Sequence, residues 1–182
     1  MRLPTVYLSP STQEFNQYFS GGNEEYYMNL LADVVQNDLE RNGIKVVRNN
    51  PVEPLAEAIM ASNRGNYDLH LALHSNAAPL EFAGKLQGPD IYYYPGSVRA
   101  KEFADILARN MKEIYPNPRL VNVRSTKELG ELQFTKAPAV LVEVAYHDNP
   151  SDEMWIKENL DTIGNTIAES VAEFLGISYI GR

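Results

Sequence analysis

Pro138-Ala139-Val140-Leu141-Val142-Glu143-Val144 is an apolar, β-branched run broken by one carboxylate. A segment that is apolar at consecutive positions, and not at every second one, must be covered on both faces. That is the habit of a central strand in a parallel sheet with helices packed on either side. The run therefore sets the expectation of an α/β fold. Asp68 to His74, reading Leu-His-Leu-Ala-Leu-His after the aspartate, is a second compact strand. Leu3 to Leu8 is a third, closed by Ser9-Pro10, and Ile44 to Arg48 and Ile91 to Tyr94 are two more.

Helical spacing fills the intervals. Tyr27, Leu30, Leu31, Val34, Val35 and Leu39 mark a helix over Glu24 to Arg41, with Asn23 as its N-cap and Gly43 as its stop. Pro54 to Asn63 forms a second, with proline in the first turn. Phe103, Ile106, Leu107, Met111 and Ile114 mark a third. Ile156, Leu160, Ile163, Ile167, Val171 and Phe174 describe a final helical region, broken near Asn159. Residues 75 to 90 read as a long loop, and Pro116 to Ala137 give no clear period. With strands and helices alternating and no repeat or Ser/Gly linker, residues 1–182 read as one domain.

Composition limits the chemistry. The 182 residues carry a formal net charge of −8, which disfavours a nucleic-acid surface and adhesion to anionic membranes. With no cysteine, thiolate nucleophiles, disulfides and thiolate metal sites are impossible, so a metal would need His, carboxylate or neutral oxygen. No stretch is long and apolar enough to span a bilayer. Met1 to Pro10 holds no block resembling a signal peptide, so the expectation is a chain without an export signal of its own.

The strands over 3–8, 68–74 and 139–144 each end in polar residues, and open α/β sheets build their sites beyond the carboxyl ends of strands. His74, followed by Ser75-Asn76, suits a metal ligand or general base, or equally a histidine bonded into a strand–loop corner. Glu143 ends a run that calls for burial. It is either a carboxyl of raised pKa, fit for moving protons, or half of a buried ion pair with Arg48 or Arg124. Glu25 lies in the first turn of the first long helix, where an acid often serves only the helix dipole; Glu24 beside it is either the functional carboxylate or a solvated neighbour. His147, four residues after Glu143, has the cleft within reach. His70 shares a strand face with His74 but stands about 13 Å away along it, and reads as structural.

These residues together resemble the type-3 group of zinc-dependent N-acetylmuramoyl-L-alanine amidases, the catalytic domains of bacterial cell-wall autolysins. The resemblance runs from Thr5 to about Leu175. Its strongest stretches are Leu73-His74-Ser75-Asn76-Ala77 and Pro138 to Glu143, continued by Tyr146-His147-Asp148-Asn149-Pro150-Ser151-Asp152. Glu25 with Asn29-Leu30, and Gly88-Pro89-Asp90-Ile91-Tyr92-Tyr93, add to it. The resemblance implies a three-layer α/β domain with a twisted, mostly parallel sheet flanked by helices. It implies a zinc ion (Zn2+) on Glu25 and His74, with Glu143 as catalytic base and acid, and peptidoglycan or muropeptides as substrate. The amide between muramic acid and L-alanine would be the bond cut. Action would then be at the cell wall, with an attached or associated wall-binding domain as one route there.

The sequence departs from the family at one ligand. Members carry a first zinc histidine in an Asp-Pro-Gly-His-Gly type turn after the first strand, where this chain has Ser9-Pro10-Ser11-Thr12-Gln13. His147 is the candidate replacement. Gln13, Asn16 or a neighbouring hydroxyl as a weak oxygen ligand, or a site without metal, are the alternatives. Asn76 and Tyr92 are candidates for substrate contact, with Tyr93 and Tyr94 beside them. The rival function is a non-catalytic peptidoglycan-binding module that lost its metal along with that histidine.

Overall fold

The computed structural model describes residues 2–181. Six strands form one sheet: β1 (Thr5–Pro10), β2 (Lys45–Arg48), β3 (Leu69–Asn76), β4 (Asp90–Tyr93), β5 (Asn122–Ser125) and β6 (Ala139–Tyr146). Their order is β2-β1-β3-β6-β4-β5. Every neighbouring pair is parallel except β4 against β6. The helices are α1 (Glu24–Arg41), α2 (Leu55–Arg64), α3 (Val98–Ile114), α4 (Gly130–Gln133), α5 (Pro150–Glu158) and α6 (Leu160–Phe174). The architecture is a three-layer α/β fold. None of the helices among the described residues is long and apolar enough to cross a membrane.

The period-2 alternation of the strands separates two unlike faces. Val6 and Leu8 of β1, Leu69, Leu71 and Leu73 of β3, Ile91 of β4, and Val140, Val142 and Val144 of β6 enter the main core. That core is closed by α1, α3 and α6, with α6 packing against both α1 and α3. The alternate residues face a thinner layer. Ala72, Ala139 and Leu141 meet Leu132 of α4 there, with Tyr92 and Tyr94 alongside. Ser9, His70, His74 and Glu143 share the strand parity of this second set, so the polar side chains collect on the thinly covered face.

Several details depart from the sequence expectation or fill it in. β1 runs on to Pro10, because Ser9 and Pro10 still pair in register with Ala72 and Leu73; a proline closing a strand sacrifices little of the ladder. β3 likewise extends to Asn76, and a turn of 3-10 helix over Leu80–Phe82 interrupts the loop that follows. The unassigned stretch before β6 contains β5 and α4, both only four residues long and too short to show a period. The final helical region begins earlier, at Pro150, and Asn159 separates α5 from α6 as the spacing implied. Asn23 caps α1, accepting from the Tyr26 amide.

The Asp148-Asn149-Pro150-Ser151-Asp152 segment anchors the loop before β4. Asp148 accepts from the Ala78 and Gly84 amides, and Asp152 accepts from the Gly88 and Tyr146 amides. Gly88 has φ +99°, and a Cβ there would meet the Leu120 carbonyl at 2.5 Å, so glycine is required.

Gly164 in α6 lets α1 approach closely: a Cβ built on it would lie 2.5 Å from Val34 Cγ1 and 2.8 Å from Val34 Cβ. A β-branched side chain is stiff and cannot swing aside. Gly164→Ala gains helix propensity worth about 1 kcal/mol but incurs an overpacking cost of about 1–3 kcal/mol. The expected outcome is a net loss of about 1 kcal/mol, read as a lower denaturation midpoint at unchanged m-value.

Candidate active site

His74 stands near the carboxyl end of β3 with both ring nitrogens engaged. Its Nδ1 lies 2.8 Å from Glu24 Oε1, and its Nε2 lies 3.3 Å from Glu131 Oε2. Glu131 is itself buried. Its Oε1 accepts from Ser9 Oγ and lies 3.0 Å from His70 Nε2. His70 Nδ1 in turn meets Ser62 Oγ of α2 at 2.9 Å, and its ring stacks on Tyr7. A chain of polar contacts thus runs beneath the sheet end from α2 to His74. By holding one face of the imidazole, Glu131 leaves Nδ1 directed at Glu24.

The first turn of α1 supplies Glu24, and Glu25 points elsewhere. Met28, Leu31, Ala32, Val35 and Leu39 form the buried stripe of α1, and Glu24 lies four residues before Met28 on that stripe. Glu25 is rotated about 100° away. It lines a separate groove of about 740 Å³ with Thr12, Phe15 and Pro54. The phase of the apolar positions, already in the sequence, distinguishes the two glutamates.

Asn16 Nδ2 donates to Glu24 Oε2 at 2.6 Å and to Gln13 Oε1 at 3.0 Å. The Gln13 amide nitrogen stands 3.4 Å from His74 Nδ1. Their loop is pinned to the sheet: the Ser11 amide donates to the Leu73 carbonyl, Ser11 Oγ accepts from the Gln13 amide, and Asn29 Nδ2 donates to the Ser11 carbonyl. Ser9, Gln13, His74 and Glu131 line a cavity of about 230 Å³.

Glu143 reaches the same face of the sheet. In the parallel register of β3 and β6 it is the partner of His74, and in the antiparallel register of β4 and β6 the partner of Asp90. Its Oε2 is buried with no hydrogen-bond partner. Neither arginine neutralises it: Arg124 Nε pairs with Asp90 at 2.7 Å and Arg48 pairs with Asp33.

Burial acts on all four ionisable groups, but only Glu143 yields to it. Desolvation, reinforced by the charges of Glu24 and Asp90 and only partly opposed by His74, pushes the Glu143 carboxyl up to about 7. Burial alone would also raise Glu24 and Glu131. Hydrogen bonds and charge from His74, joined by Asn16 for Glu24 and by His70 for Glu131, hold both below the usual carboxylate range. Burial alone would lower His74, yet Glu131, Glu24 and the Glu143 charge hold it well above an ordinary histidine.

The remaining candidates are dispersed. His147 is not brought to His74 Nδ1. Its own Nδ1 lies 2.9 Å from both Ser75 Oγ and the Ser75 carbonyl, and its ring stacks on Tyr18, which bonds the same Ser75 hydroxyl. The strand ends at Tyr146, and the turn that follows directs His147 into this packed corner. Asn76 closes β3, its carbonyl accepting from the His147 amide. Tyr92 pairs with Leu141 and packs in the thin layer on the Glu143 side, whereas Tyr93 packs against the main core. Glu131 went unread because α4 is a single turn without periodicity, and nothing local marks one of its acids as buried.

A carboxyl whose folded pKa is raised keeps its proton in the folded state where the unfolded chain has lost it. Stability therefore falls as pH rises from 4.5 to about 7 and the full penalty remains above that. A displacement of that size corresponds to about 3 kcal/mol. In chelator-treated protein, Glu143→Gln should raise unfolding stability by about 3 kcal/mol at pH 8 and leave it little changed at pH 4. Equal effects at the two pH values would show that Glu143 is not held protonated by its surroundings.

Residues 13–174 match the model of the N-acetylmuramoyl-L-alanine amidase family. The chain is 31% identical over 138 residues to the probable cell wall amidase LytH of Staphylococcus aureus, a stretch covering 75% of this chain and 44% of that protein. It therefore spans less than half the length of that curated relative. Among solved structures, the N-acetylmuramoyl-L-alanine amidase of Clostridium difficile 630 superposes with a TM-score of 0.86 at 19% identity, covering 97% of this chain and 98% of the other. The amidase AmiC2 of Nostoc punctiforme superposes with a TM-score of 0.83 at 17% identity, covering 95% and 97%. The CwlV catalytic domain of Bacillus (Paenibacillus) polymyxa gives 0.83 at 18% identity, covering 97% and 100%. The shared three-layer fold and the match across nearly the whole sequence lead to one assignment: the chain belongs to the N-acetylmuramoyl-L-alanine amidase family of peptidoglycan hydrolases.

Proposed function

We propose that this chain hydrolyses the amide joining N-acetylmuramic acid to the L-alanine of the stem peptide, with Glu143 as general base and acid. The observation that carries the reading is the unpartnered, buried Glu143 oxygen on the same sheet face as the Glu24–His74 pair. An acid poised near neutral pH is suited to taking a proton and giving it back.

The donor set at that place suits zinc in kind. Glu24 Oε1 and His74 Nδ1 are the oxygen and nitrogen that zinc accepts, 2.8 Å apart, and Glu131 holds the other imidazole nitrogen in the way carboxylates fix ligating histidines. Zinc on Glu24 and His74 would supply Lewis acidity toward the scissile carbonyl and toward water. Within the protein, Glu143 accepts the proton of the attacking water as its oxygen joins the lactyl carbonyl carbon. As the carbon–nitrogen bond breaks, Glu143 returns that proton to the departing L-alanine nitrogen. One product carries a new lactyl carboxylate and the other a free amino terminus. Tyr92, on the Glu143 side of the sheet, and Asn76, at the end of β3, are placed to border the substrate.

A second reading has one observation in its favour. Among the described residues no group of three His, Asp, Glu or Cys side chains is gathered for a metal. On that reading the chain binds muropeptides at the wall without cutting them. Zinc per chain after zinc-replete purification, together with turnover on purified peptidoglycan, separates the two.

Glu143→Gln should lower amidase turnover by about 10²–10⁴-fold while zinc stays bound. Glu24→Ala should lose zinc and activity together, whereas Glu25→Ala should keep both. Release of L-alanine amino termini and metal content are the two readouts. Normal turnover in Glu143→Gln would remove the proposed base, and loss of zinc in Glu25→Ala, not Glu24→Ala, would reverse the assignment of the ligand.

A further inference from the structure

Zinc in a catalytic site takes three protein donors and leaves a fourth position for water or substrate. His74 and Glu24 are two, and among the described residues no group of three His, Asp, Glu or Cys side chains is gathered for a metal. The cluster does contain a donor of another kind. The side-chain amide of Gln13 meets His74 Nδ1 at 3.4 Å, and Asn16 ties that same amide to Glu24. We propose that the Gln13 amide oxygen is the third zinc ligand, supplied from the same turn in which other family members carry an imidazole one residue earlier in the motif. The proposal rests on the zinc reading given above.

Two further features support it. With bonds of about 2.1 Å at tetrahedral angles, neighbouring donor atoms are about 3.4 Å apart. Gln13 Nε2 and His74 Nδ1 are already at that separation, so a turned-over amide would bring its oxygen to that place, while the 2.8 Å contact of His74 with Glu24 has to lengthen slightly once zinc replaces the shared proton. Gln13 is also held by its backbone. Its amide donates to Ser11 Oγ, and Ser11 is fixed to β3 through the Leu73 carbonyl. The oxygen and nitrogen of the amide exchange places by rotation of one terminal torsion. That rotation gives up the bond from Asn16 to Gln13, and Asn16 keeps its bond to Glu24. An uncharged amide oxygen is a poorer partner for zinc than an imidazole nitrogen, so the site should hold zinc more weakly than a His-Glu-His site and favour harder divalent ions relatively more.

The test measures metal directly. Zinc affinity of the full chain is determined by competition with a chelator, and the cobalt-substituted protein is examined by visible absorption, whose bands follow the ligand set. Gln13→Ala should weaken zinc by at least tenfold and alter the cobalt bands, and Gln13→His should tighten zinc by at least tenfold. Thermal unfolding in chelator, expected unchanged in both variants, shows that each is folded. Zinc bound by the unsubstituted chain, with Gln13→Ala matching it in affinity and cobalt spectrum, overturns the role of Gln13 alone. Glu143→Gln included in parallel covers the remaining donor: loss of zinc there, with Gln13→Ala unaffected, assigns the third position to Glu143 and overturns the proposal. If the unsubstituted chain takes up neither zinc nor cobalt, the zinc reading fails together with this one.

Discussion

The parallel pairing of β3 with β6 places His74 directly beside Glu143 on one face of the sheet, and the rest of the site is arranged around that juxtaposition. The side-chain period of two makes it an all-or-none constraint. A slip of one residue in either strand would turn its polar residue into the main core and its leucines or valines toward the cavity. The register is fixed because Leu69, Leu71, Leu73, Val140, Val142 and Val144 fill the core under α1, α3 and α6. Hydrophobic burial on one side of the sheet thus specifies where an imidazole and a carboxyl stand on the other.

Three glutamates surround one imidazole, and the fold resolves their repulsion unevenly. Glu24 and Glu131 take the two ring nitrogens of His74 and remain ionised. Glu143 receives no hydrogen bond at its buried Oε2, and desolvation prevails there over the opposing charge of His74. Under the proposed function this is a division of labour: the satisfied pair would fix geometry, and the unsatisfied group would exchange the proton. Leaving it unsatisfied costs stability, a cost that the proposed proton-transfer role would explain.

Much of the fold was legible because it follows from periodicity. The helix over 24–41, the helix marked by Phe103 to Ile114, the break at Asn159 and the central strand over 139–144 all come from patterns long enough to be unambiguous. β5 and α4 were not legible, since four residues carry no usable period. Glu131 was lost with α4, although it touches Ser9, His70 and His74 at once. Glu24 is an intermediate case. The family resemblance named Glu25, whereas the buried stripe of α1 carries Glu24 to His74.

The sequence by itself determined the layers, the strand faces and two of the polar residues that meet on the site face, His74 and Glu143. Alternation and apolar content fix which side of a strand is buried, and these are properties of a local pattern. Tertiary structure decided which first-turn glutamate reaches His74, that His147 turns into a corner with Tyr18 and Ser75, and that Gln13 stands beside the imidazole. Those placements depend on helix phase and on the path of loops between elements distant in the chain. Loop paths are set by contacts such as that of Ser11 with Leu73, which no local pattern encodes.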